Sequence, residues 1–128
     1  MKLLYLILAV TASALLAGCS TLDPAAHNAK VAALRNRTPY LTRIGDTHSM
    51  STVVVAGSTR IVSPLPYNRL QSGIVAVFWP IGAPTPVCHF VGRRIGTDSW
   101  EAHGMNQPGD LGALGFLLTR ENYIGVIR

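Results

Sequence analysis

Lysine is almost missing from this chain: of 11 basic residues, only Lys2 and Lys30 are lysines. The others are arginines, whose guanidinium does not deprotonate in a protein and so supplies no base. Acid is scarce too, with six Asp and Glu and a formal charge of +5. The arginines form no dense run and few aromatics lie between them, so no nucleic-acid partner is expected. A solvated basic surface, close to anionic lipid, accounts for them more simply. Two cysteines, Cys19 and Cys88, are too few for a disulfide scaffold. The longest apolar stretch, Leu3 to Leu16, is too short to span a bilayer. After Pro39 there is no long amphipathic helical pattern, which excludes a helix bundle, and the chain has no repeats. No cofactor and no metal are expected.

The amino end has the layout of an export signal: Met1-Lys2, the apolar run, then the small residues Leu16-Ala17-Gly18 before Cys19. That ending resembles the lipobox of bacterial lipoproteins. The resemblance implies cleavage before Cys19 and lipidation of its thiol, with acyl chains that hold at about 0.8 kcal/mol per buried CH₂. Ser20 after the cysteine then favours the outer membrane, facing the periplasm. The organisation expected is a signal peptide over 1–18, a lipidated tether over 19–37 and one β domain over 38–128. A mature chain of this size suffices for one modest core. With Cys19 acylated, Cys88 has no disulfide partner and reads as a small buried apolar residue in Val87-Cys88-His89-Phe90-Val91. In the tether, Pro24 suits the first turn of a marginal helix capped by Asp23, and His27 is expected to be solvated.

From Thr38 onward, short apolar runs rich in β-branched residues alternate with Gly and Pro turns. Strands are expected over 52–56, 59–63, 73–79, 87–95, 99–103, 115–119 and 123–127. The fold class is therefore mainly β, a small folded-over sheet or barrel.

One short stretch draws attention, Asp46-Thr47-His48-Ser49-Met50, ahead of the apolar Ser51-Thr52-Val53-Val54-Val55. A serine at a turn before a strand can be held rigid and exposed, but it attacks only if a base takes its proton and donors stabilise the oxyanion. Lys2 leaves with the signal and Lys30 lies in the tether, so the base has to be histidine. His48, adjacent to Ser49, points away on an extended backbone. His89 and His103 both lie in strand-like runs, and spacing does not choose between them. Each can equally be a histidine half-buried in a sheet.

The order of several pieces resembles the signal peptidase-like serine peptidases, in particular the Ser-His branch of archaeal and endoplasmic-reticulum signal peptidases. The pieces are Thr47-His48-Ser49-Met50, Leu70-Gln71-Ser72-Gly73-Ile74-Val75-Ala76-Val77-Phe78, Pro86-Val87-Cys88-His89-Phe90-Val91-Gly92, Gly104-Met105-Asn106-Gln107, Asp110 and Asn122-Tyr123-Ile124-Gly125. They cover roughly Ile44 to Val126, and their order carries more weight than any single one. The resemblance implies Ser49 as nucleophile, His89 as general base, Asp110 as its orienting carboxylate and Thr47 as oxyanion donor beside the Ser49 N–H. Three positions depart from the pattern: Thr52 stands for a proline, Ile74 for an acid, and Gly104-Met105-Asn106 for Gly-Asp-Asn. The last removes a carboxylate near the site.

The function this implies is a lipid-anchored serine endopeptidase that cleaves an exported or membrane-proximal polypeptide. Its partners are that polypeptide and, through the anchor, the membrane. The alternative is an inactive relative that serves as a binding or structural protein of the envelope.

Overall fold

The computed structural model describes residues 23–45, 54–104 and 116–128. Helix α1 (Pro24–Arg37) is followed by seven strands: β1 (Tyr40–Arg43), β2 (Thr59–Ser63), β3 (Val75–Phe78), β4 (Val87–Ile95), β5 (Ser99–His103), β6 (Phe116–Thr119) and β7 (Tyr123–Ile127). All strand pairs are antiparallel, in the order β1-β2-β7-β3-β4-β5-β6. The protein is mainly β, as expected. Of the two forms expected, the open sheet is adopted, with β1 and β6 as its edges.

The connection between β6 and β7 shows how far this sheet bends. Thr119 and Tyr123 are joined by three residues, which reach at most about 14 Å. In a flat sheet those strands would stand four spacings apart, about 19 Å. The sheet must therefore curl, and the concave face holds the larger core: Ala76, Phe78, Val91, Ala102, Leu118 and Val126, closed by Tyr67, Leu70 and Tyr123. Tyr67 fixes the closure from the 3₁₀ turn Tyr67–Arg69, its hydroxyl donating to the Asp98 and Leu118 carbonyls at 2.6 and 3.3 Å. The Tyr123 hydroxyl donates to Leu65 O at 2.6 Å, and burial pushes its pKa up to about 12.

The convex face carries α1. Asp23 caps it by accepting from Ala25 N–H at 3.1 Å, and Pro24 opens it. The helix does not stand off as a bare tether. Val31 is fully buried against Val62, Val77 and Ile124, with Leu34 beside it. Residues 27, 31, 34 and 35 lie on one helical stripe, and polar groups close both ends of it. Arg35 donates to the carbonyls of Tyr123 at 2.8 Å and Arg120 at 3.0 Å. His27 Nε2–H donates to Trp79 O at 2.6 Å, and the two rings meet edge to face at 5.2 Å. This corrects the expectation of a solvated His27: the carbonyl at the end of β3 has no ladder partner there, and the imidazole supplies one.

Two strand expectations also change. β1 forms at Tyr40–Arg43, where none was expected; it pairs Tyr40 with Val62 and Arg43 with Thr59. The described part of the expected 52–56 strand, Val54–Ala56, is not extended ladder. Ile44 N–H donates to Ser58 O and Gly57 N–H to Ile44 O, both at 2.8 Å. Those bonds pass the β1–β2 pairing straight to Ser58, and Gly57 turns with φ +81°. Val54 is left to pack as a single buried side chain on Ile44.

Candidate active site

β4 is the element on which the expected chemistry can be placed. Its partners are β3 (Ala76 opposite His89, Val77 opposite Cys88) and β5 (Phe90 opposite His103, Val91 opposite Ala102). Side chains alternate across a strand, so Cys88 and His89 face opposite sides, as the sequence reading required. Cys88 packs on the convex face, and burial raises its thiol pKa despite Arg60 nearby. That favours the protonated thiol, the less nucleophilic form.

His89 lies on the concave side, half-buried, its ring edge to face with Phe78 at 6.3 Å. Burial, and secondarily the charge of nearby His103, lower its pKa below the ordinary histidine value. The neutral imidazole is therefore the stable form at pH 7, and that is the form a base requires.

His103, the other open candidate, belongs to the convex side with Phe90, whose ring centroid is 5.8 Å away. Its ring sits over Gly92, where an added Cβ would stand 2.9 Å from His103 Cδ2. Glycine makes that ring position possible. His103 Nδ1 lies 3.0 Å from Gly104 O. A carbonyl only accepts, so Nδ1 carries the proton there, and in the neutral ring Nε2 keeps a lone pair. The sequence offered no means of seeing this pinning, because it depends on which β4 residue stands opposite.

Ser49, Thr47, Asp110 and Cys19 lie outside the described residues. The described chain on either side of the first two can be placed. Ile44 and Val54 are buried together against Val75, Cys88 and Phe90. They thus seat on the convex side of β4, where His103 lies, and His89 projects to the other side. The chain toward Asp110 leaves β5 after His103, opposite Phe90, and returns at Phe116, opposite Ala102. The first excursion thus begins and ends against the Cys88–Phe90 part of β4, and the second begins opposite Phe90 and ends on β6, one strand beyond β5.

Compared with known protein families, curated proteins and solved structures, the chain matches none. Among the described residues no three His, Cys, Asp or Glu side chains group as a metal site, and no helix is long and apolar enough to cross a membrane.

Proposed function

We propose that the chain is a lipid-anchored serine endopeptidase of the signal peptidase-like kind, acting on an exported or membrane-proximal polypeptide. The observation that supports this most is that Ile44 and Val54, the nearest buried residues described on either side of the Ser49 segment, pack against β4, the strand that carries His89, while the described chain leading toward Asp110 leaves β5 opposite Phe90 of β4. In the proposed reaction, Ser49 Oγ attacks the peptide carbonyl carbon while the histidine takes its proton. Thr47 and the Ser49 N–H hold the oxyanion, a type of contact typically worth about 3 kcal/mol per donor. The histidine then gives the proton to the departing amine, and water releases the acyl group by the same route. Asp110 orients the imidazole. Cys19 carries the anchor at the outer membrane, facing the periplasm.

A specific observation favours a second choice of base. His103 shares the side of β4 on which Ile44 and Val54 seat, and its Nδ1 is pinned so that Nε2 can accept. One experiment tests the reading and separates the two histidines: labelling by a fluorophosphonate, which reacts with an activated serine, located by mass spectrometry. Wild type takes the label at Ser49 and Ser49→Ala does not. Loss of labelling in His89→Gln alone assigns His89 as base, and loss in His103→Gln alone assigns His103. A wild type that takes no label at Ser49 defeats the reading.

A further inference from the structure

The large exposed hydrophobic side chains among the described residues are Leu41, Val55, Ile61, Ile81, Ile95 and Leu117. Singly, such residues carry no meaning. Leu41 and Ile61 are different, because they are direct partners in the β1–β2 ladder and are 70% and 47% exposed. They stand side by side on one face of the outer ribbon. Val55, 58% exposed, adjoins the same end of the hairpin, since its carbonyl accepts from Ser58 N–H at 3.1 Å. Arg43 follows Leu41 on that face. The ribbon runs on into an open groove of about 740 Å³ with an apolar floor (Leu65, Ile74, Val126) and Arg69 and Arg128 on its wall. The Arg128 N–H, 3.4 Å from Ile61 O, joins the two.

Charge is distributed unevenly around this surface. The described acids are Asp23, Asp98, Glu101 and Glu121. None belongs to β1, β2, their described connection or the groove. Asp98 and Glu101 are engaged by Arg120 at 3.2 Å and Arg93 at 2.8 Å. Arg43 and Arg69 make no ion pair with a described residue, and Arg37 rests over the Tyr40 ring at 5.6 Å.

We propose that this face, the Leu41–Ile61 ribbon with Arg43 and the Arg69 groove, docks on a bilayer of anionic phospholipid. The aliphatic pair enters the acyl boundary, the guanidiniums take phosphate oxygens, and the groove receives a headgroup. A monolayer deforms around two protruding side chains, and arginines beside an aliphatic pair match the layering of headgroup over chain. This contact is separate from any acyl anchor and does not depend on the peptidase reading.

Hydrogen exchange read by mass spectrometry on the whole chain tests it, with the protein reconstituted in phosphatidylcholine vesicles with or without phosphatidylglycerol. Exchange in β1 and β2 slows when phosphatidylglycerol is present and not in phosphatidylcholine alone. Neutralising two charges in Arg43→Gln/Arg69→Gln lowers the docked population relative to the free one by about 25-fold, since each arginine near such a surface contributes about fivefold. Leu41→Ser/Ile61→Ser loses the protection as well. Peptides from β4 and β5 report whether each variant remains folded, and if one does not, the wild-type comparison still decides. Equal exchange in both vesicle types overturns the proposal. So does protection that survives both double variants, or protection conferred by a soluble acidic protein and not by anionic vesicles.

Discussion

Burial and the neighbouring His103 both disfavour a charged imidazole at His89, so this side chain stays neutral to lower pH than a free histidine. Two consequences follow. If His89 is the base, activity holds as pH falls through the ordinary histidine range and drops only below it, which a pH–rate profile reads directly. The second concerns stability. Between the lowered folded pKa and the ordinary value near 6.5, the unfolded chain binds the proton and the folded chain does not. Stability therefore declines as pH falls below about 6.5. Urea midpoints measured above and below that pH show the decline in wild type, and His89→Gln flattens it. Gly125 makes a different kind of claim. A Cβ there would stand 2.7 Å from Ser63 O, a backbone atom on the neighbouring strand, and 3.1 Å from Val62 Cγ1. Gly125→Ala has to part β2 from β7, and a loss of about 1–3 kcal/mol is expected in urea unfolding.

At the scale of elements, α1 belongs to the folded unit. Its stripe has one fully buried side chain, Val31, and its polar clasps come from Arg35 at one end and His27 at the other. Val31→Ala is expected to cost about 2–3 kcal/mol. Arg35→Ala frees the helix before the sheet unfolds, so limited proteolysis cuts within Pro24–Arg37 while β3, β4 and β7 stay protected. Cutting at the same rate as in wild type would contradict this role for Arg35. Five strand spans were legible because their β-branched runs are bounded by Gly and Pro. β2, β4, β5 and β7 formed over the expected residues, and β6 formed over the described residues of its expected span. β1 was not legible: Tyr-Leu-Thr-Arg is short and half polar, and it becomes a strand only because Ile61 and Val62 stand opposite. The reverse occurred at Val54 and Val55, where β-branched propensity suggested a strand but Ile44 pairs with Gly57 and Ser58 instead. The docking of α1 was hidden for a similar reason. Its clasps are backbone carbonyls of Trp79, Tyr123 and Arg120, which carry no signature in sequence.

On the scale of the whole molecule, the curled sheet gives the two sides of β4 different environments. His89 projects into the concave core, and His103 lies on the side where the chain flanking the Ser49 segment is seated. For the proposed peptidase, the sequence favoured a histidine base over a lysine by setting Lys30 aside as part of a tether; Lys30 instead stands exposed on the docked α1. Which histidine acts could not be read from the sequence, since that depends on strand facing and on Gly92 clearing room for a ring. The ribbon at the β1 edge, whose described residues include arginines and no acid, was likewise scattered in sequence and becomes a surface only when β7 is inserted between β2 and β3. The central claim is that Ser49 is a nucleophile serving proteolysis. It is tested most directly by comparing the amino termini of envelope proteins, by mass spectrometry, in cells that carry wild type, Ser49→Ala or no copy of the protein. The account predicts at least one internal terminus that is present with wild type and lost in both other strains. Identical termini in wild type and Ser49→Ala would contradict it.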